Sequence, residues 1–228
     1  MRALTKNWDE HVTDAEEVSR SAGFQDLRDR ILELAAPSER ERCVDIGAGT
    51  GLLALPLAER VEHVLAVDIS PSMCDYLRAK ANSAGQSNIQ AVKASATSLP
   101  AVDSSVDLVV SNYCFHHLDD EAKHCALAEV RRVLCPGGRL VFGDMMFGVS
   151  LADPRDRRVV ATKVRAMAAK GPAGLLRLAK NGVRFAGRRW ESPARARWWE
   201  LALKRAGFDQ VQVELFDHEG GVAVARRP

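Results

Sequence analysis

The segment Val44-Asp45-Ile46-Gly47-Ala48-Gly49-Thr50-Gly51-Leu52 constrains this chain more than any other. An apolar run ends in three glycines at alternate positions, and a helical stretch through Leu52–Arg60 follows. Glycine tolerates left-handed backbone and lets a ligand come where a Cβ would collide. In open α/β sheets such a turn lies at the carboxyl ends of the strands, where ligands bind.

The rest of the chain repeats the same alternation, which predicts a sheet assembled from β-α-β units. Strands are expected at Cys43–Gly47, Val64–Asp68, Ile89–Lys93, Val106–Ser111 and, after a turn at Pro136-Gly137-Gly138, Arg139–Gly143. Ser70-Pro71 supplies an N-cap and first-turn proline for a helix towards Ala84. The acids Asp119, Asp120 and Glu121 suit the positive end of a helix running to Leu134. Ser192-Pro193 is read as the cap of a late helix ending at Gly207. Alternation in Val211–Phe216, then Gly220-Gly221 and Val222–Ala225, predicts a closing hairpin. The expected fold is α/β: a doubly wound, mostly parallel, seven-stranded Rossmann-like sheet with a C-terminal antiparallel hairpin. It forms one domain over 1–228, with a helical cap at 1–40 and a basic insert at 150–190.

Composition excludes more than it selects. The five cysteines are odd in number and widely spaced, with no Cys-x-x-Cys, so neither a disulfide framework nor a zinc site is expected. Nothing at the N-terminus reads as a secretory signal, and no run approaches the ~20 apolar residues of a membrane span. A cytoplasmic protein follows from that reading. The net charge of +2 is unevenly spread. Arg155–Arg189 holds eleven basic residues and the single acid Asp156, a net +10, so the remainder carries −8.

An acid closing the second strand, Asp68, is placed to accept two hydrogen bonds from a ribose diol. The spacing Gly47-x-Gly49-x-Gly51 differs from the Gly-x-Gly-x-x-Gly of dinucleotide sites, and Asp45 would repel a pyrophosphate while suiting an ammonium. An adenosyl cofactor with a cationic tail fits best.

With these residues in place the chain resembles the class I S-adenosylmethionine-dependent methyltransferases. It most resembles the branch of ubiquinone and menaquinone C-methyltransferases and small-molecule O- and N-methyltransferases. Over about residues 40–145 the resemblance rests on Val44–Gly51, Val64–Ser70, Ala94–Pro100, Ser105–Asn112 and Leu134–Val141, in order. It implies S-adenosyl-L-methionine as cofactor and no metal. Asp45 and the loop Gly47, Ala48, Gly49, Thr50 and Gly51 would hold the methionine portion, and Asp68 the ribose. Ile69 would pack on the adenine, Ser95 and Ala96 would meet its edge, and Asn112 would lie near the sulfonium. Ser95 departs from the pattern, because many relatives carry an acid there.

Methyl transfer needs a base only when the acceptor must lose a proton. The candidates are Tyr113, His116 and His117, which follow the fourth strand, and Asp144 at the end of the fifth. Adjacent in sequence, the two histidines are expected to diverge. In the insert, Leu175, Leu176, Leu178, Ala179, Val183 and Phe185 share a helical face opposite Arg177, Lys180, Asn181 and Arg184. Val160, Val164, Met167 and Ala168 form a weaker stripe. A lid over a small-molecule or lipid-like acceptor is one reading, and peripheral contact with an anionic membrane through 155–189 is another. Two alternatives stay open: a non-catalytic S-adenosylmethionine-binding protein, and a methyltransferase acting on nucleic acid. No obligate protein partner is implied.

Overall fold

In a computed structural model, residues 7–148, 152–169, 171–172 and 192–228 are described. Seven strands form one sheet: β1 (Arg42–Ile46), β2 (His63–Asp68), β3 (Ile89–Lys93), β4 (Val106–Asn112), β5 (Leu134–Met145), β6 (Asp209–Leu215) and β7 (Gly220–Arg226). Their order is β3-β2-β1-β4-β5-β7-β6, and only the pairings of β7 with β5 and β6 are antiparallel. The order reverses between β1 and β4, so the crevice of a doubly wound sheet opens at their carboxyl ends.

The central strands β1, β2 and β4 are buried almost throughout, as strands covered on both faces must be. One face packs under α2 (Ala22–Ala35), α3 (Ala54–Ala58) and α4 (Pro71–Ser83), through Leu27, Ile31, Leu57 and Leu77. The other packs under α5 (Asp120–Val133) and α7 (Ala196–Arg205), through Leu127, Val130, Trp199 and Leu203. Ser70 caps α4 by accepting from the Met73 amide, with Pro71 in the first turn, and Asp119 caps α5 by accepting from Ala122. Both caps are the ones the sequence indicated. Edge strand β6 is largely exposed, with Val211 and Val213 half-buried at alternate positions.

Three expectations are corrected. Pro136-Gly137-Gly138 is not a turn before β5 but a bulge within it. Leu134 pairs with Val106 and Arg139 with Leu108, and Gly137, at φ +80°, donates to the Arg227 carbonyl. Ser192-Pro193 does not cap α7, whose N-cap is Arg195, because the polar groups of Ser192 are engaged elsewhere. The glycine loop leads into a helix that holds only Ala54–Ala58.

The N-terminal cap consists of a 3-10 turn at Trp8–His11, α1 (Val12–Ser19) and α2. α6 (Pro154–Ala168) begins the insert, where Asp156 and Val159 are buried while Val164 of the expected apolar stripe is exposed. The face expected at Leu175–Phe185, and with it most of the stretch 155–189 assigned to membrane contact, lies outside the described residues. Among the described residues no helix is long and apolar enough to cross a membrane.

Candidate active site

The glycine loop is tied to β2 before any ligand is considered. The amides of Gly47 and Ala48 both donate to the Val67 carbonyl, at 2.8 and 3.0 Å. All three glycines have positive φ, yet they are glycine for different reasons. A Cβ at Gly47 would lie 2.5 Å from Cys114 Sγ, and one at Gly51 would lie 2.5 Å from Leu77 Cδ1. Those two positions serve the chain's own packing. At Gly49 the nearest atom would be the Gly47 carbonyl oxygen at 3.9 Å, so the space above it is open. Gly49 alone of the three leaves room for a ligand against the backbone.

Asp68 holds this turn from the side. Its Oδ2 accepts from the Gly49 amide and its Oδ1 from the Ser70 amide, both at 2.9 Å. With the Ile69 amide also directed at it, the carboxylate keeps acceptor capacity for a ribose hydroxyl. Burial raises the Asp68 carboxyl pKa, opposed by the amides of Ser70, Gly49 and Ile69.

Asp45 is 1% exposed, and its Oδ2 has no hydrogen-bond partner. Burial, and then the charge of Asp68, push its carboxyl up to about 8. Asn112, at the end of the neighbouring strand, has a buried Oδ1 that is likewise unpartnered. By strand alternation both side chains lie on the α2–α3 face of the sheet. Buried acceptors left unmatched are costly. Two of them beside an open glycine turn suit a cationic ligand carrying N–H donors, as the ammonium of S-adenosylmethionine does. The cofactor therefore fits the residues present.

The adenine side is less specific. Ile69 is 52% exposed at the end of β2, open to a flat ring. Ala96 packs against the core, and Ser95 Oγ is bonded to Thr97 Oγ1 at 2.8 Å and accepts from the Thr97 amide. A purine contact at Ser95 would have to share that hydroxyl.

At the end of β4 the acceptor-side candidates come together. Tyr113 adopts φ +53°, a left-handed conformation unusual for a side chain of its size, and turns the backbone into the 3-10 turn Phe115–His117. His116 is 4% exposed and Asp144 wholly buried. The His116 ring Nδ1 lies 2.6 Å from Asp144 Oδ1, and the His116 amide donates to Asp144 Oδ2 at 2.9 Å. Two candidates from different strands are thus one unit, an imidazole oriented by a carboxylate. Burial, and then the charges of Glu219, Asp144 and Asp26, push the Tyr113 hydroxyl pKa well up, which leaves it a neutral donor.

His117 is exposed, but it does not diverge from His116. Their ring centroids are 3.9 Å apart, with the ring planes tilted by 49°. Trp8 packs edge-on against His117 at 4.8 Å, and Phe24 stacks on Tyr113 at 4.2 Å. An aromatic wall therefore borders the His116–Asp144 pair.

The sequence did not single out Trp8, Asp9 or Glu16. Asp9 Oδ1 accepts from Ser70 Oγ at 2.5 Å and from the Ser72 amide at 3.1 Å. Glu16 pairs with Lys80 at 3.0 Å and bonds Thr50 of the glycine loop. No local pattern announces such contacts, which join residues more than thirty positions apart.

Comparison with known proteins agrees with this geometry. Residues 43–138 match the family described as "Methyltransferase domain". Over residues 43–138 the chain is thus similar to methyltransferase domains. The demethylmenaquinone methyltransferase of Thermus thermophilus is 39% identical over 116 residues, covering 50% of this chain and 51% of that protein. The chain spans about half the length of the curated relatives it matches. Among solved structures, a Haloferax volcanii putative methyltransferase complexed with the Trm112 activator has a TM-score of 0.71 at 16% identity, covering 100% of this chain and 99% of that one. An Aquifex aeolicus SAM-dependent methyltransferase has a TM-score of 0.66 at 20% identity, covering 94% and 97%. At those identities the two structures establish the fold.

Proposed function

We propose that this chain transfers a methyl group from S-adenosylmethionine to a small acceptor bearing an ionisable hydroxyl or amine on or near a flat ring. The buried His116–Asp144 pair carries this reading. S-adenosylmethionine, when bound, supplies an electrophilic methyl group on a sulfonium. The chain's own residues then bind, orient and deprotonate. Gly49 and Asp68 would fix the adenosyl end, and Asp45 with Asn112 the amino-acid end. Asp144 holds Nδ1 of His116, which orients the ring and assigns the acceptor's proton to the opposite ring nitrogen. Trp8, Phe24, Tyr113 and His117 supply aromatic surface beside it. The Thermus relative is named for demethylmenaquinone, whose two-electron-reduced hydroquinone form bears ring hydroxyls and belongs to this class.

The test follows labelled methyl from S-adenosylmethionine into a panel of small phenols, hydroquinones, amines and aliphatic alcohols. Transfer should favour ring-bearing acceptors. His116→Gln should lower kcat about 10²- to 10⁴-fold, the usual contribution of a positioned base, with cofactor affinity unchanged. Undiminished transfer by His116→Gln would overturn the base assignment. Tight cofactor binding without transfer to any acceptor would make the chain a binding protein.

A further inference from the structure

Lys123 is a charged residue in the apolar face of a helix. α5 buries Ala126, Leu127, Val130 and Val133, and Lys123 lies on the same stripe with its side chain wholly enclosed. Burying an ammonium is unfavourable unless it is matched. Burial pushes its pKa down, opposed by Asp120, Asp144 and Asp119. The match is specific: Nζ donates to the Ser192 carbonyl at 2.7 Å, to Ser192 Oγ at 3.2 Å and to Asp120 Oδ1 at 3.2 Å. It also sits over the Trp198 ring, 5.5 Å from the centroid.

Ser192 leads directly to the candidate base. Its amide donates to the His116 carbonyl at 2.7 Å, and the His116 amide and ring both bond Asp144. Lys123, Ser192, His116 and Asp144 thus form one connected path across α5, the 3-10 turn and β5. Among the described residues, the charged groups that act on Lys123 and Tyr113, beside the His116 imidazole, are carboxylates. Asp144 comes from β5, Asp119 and Asp120 from the start of α5, and Glu219 from the β6–β7 turn beside Tyr113, while His117 and Tyr113 are on its own segment. Carboxylates favour the imidazolium, and a nearby cation opposes them.

We propose that Lys123 is a positioning residue: it clamps Ser192 against the main chain of His116, and its ammonium holds the imidazole in the neutral form a base requires. This rests on the reading of His116 as the base.

Imidazole nitrogens of the full chain, labelled with ¹⁵N and loaded with S-adenosylhomocysteine, can be titrated by NMR without knowing the acceptor. In Lys123→Met the His116 midpoint should move to higher pH, because the opposing cation is gone. In Asp120→Asn, which keeps the side chain's shape and removes its charge, it should move to lower pH, because a carboxylate beside Lys123 is lost. Lys123→Arg should restore the wild-type midpoint. If Lys123→Met does not fold, Lys123→Gln, which keeps a donor for the Ser192 carbonyl without the charge, is titrated in its place and should show the same upward shift. A His116 midpoint unmoved in the folded variants overturns the proposal and leaves Lys123 a structural anchor. The base reading fails separately: moved midpoints with a fully active His116→Gln would sink that assignment and spare the clamp.

Discussion

The two ends of this site are built from different materials. At the cofactor end the ligand-facing surface is mostly main chain: a glycine turn tied to Val67, whose open face at Gly49 is held in place by Asp68. At the end proposed for the acceptor it is side chains, with Trp8, Phe24 and His117 drawn from three separate segments beside the buried His116–Asp144 pair. A surface made of backbone can serve any protein that binds the same cofactor. A surface made of side chains can change with the acceptor while the fold stands still. The matched residues 43–138 contain the whole cofactor turn together with Tyr113, His116, His117 and Lys123, while Trp8, Phe24, Asp144 and Ser192 lie outside them.

Two substitutions sharpen the contrast. Asp68→Ala should weaken S-adenosylmethionine binding by about 1.5–3 kcal/mol, the range for hydrogen bonds to a charged group. It should also loosen the loop, since the amides of Gly49 and Ser70 lose their acceptor. Calorimetry and thermal unfolding read the two effects. Unchanged affinity with lost stability would make Asp68 a brace for the turn alone.

The smaller effect concerns Asp45 and pH. Its folded-state pKa of about 8 stands above its ordinary value of 3.8. The stability it contributes is therefore whole below about pH 4 and is lost as pH rises through 8. A cation arriving beside it favours the carboxylate, so cofactor binding should expel a proton. Affinity should rise with pH up to about 8 and then level off, by at most about tenfold per pH unit for one proton. Calorimetry at pH 6.5 in two buffers of different ionisation enthalpy should show proton release, and Asp45→Asn should abolish it. Binding that ignores pH in the wild type would mean that Asp45 does not face the ligand's charge.

What the sequence made legible follows the same line. Strand runs buried on both faces, the Ser70-Pro71 and Asp119 caps and the glycine turn are local patterns, and the structure reproduces them. The pairing of His116 with Asp144 was hidden because it joins residues 28 positions apart. The bulge at Pro136–Gly138 carries the composition of a turn, and only the partner strand distinguishes the two. Ser192 carries the composition of a cap but spends its groups on His116 and Lys123. Lys123 did leave a trace: a lysine in phase with Ala126, Leu127, Val130 and Val133 breaks the apolar stripe of an amphipathic helix.

The central claim is that the open face of the glycine turn receives the methyl donor. Titrating S-adenosylmethionine into the wild type and into Gly49→Val by calorimetry tests it most directly. The wild type should bind in the micromolar range, on the order of −7 to −8 kcal/mol. At Gly49 a Cβ meets no atom of the chain nearer than 3.9 Å, but φ +50° strains a β-branched side chain, so thermal unfolding accompanies the titration. The folded Gly49→Val should not bind, and the less strained Gly49→Ala should bind more weakly than the wild type. Full affinity in Gly49→Val, or no binding by the wild type, would contradict the account.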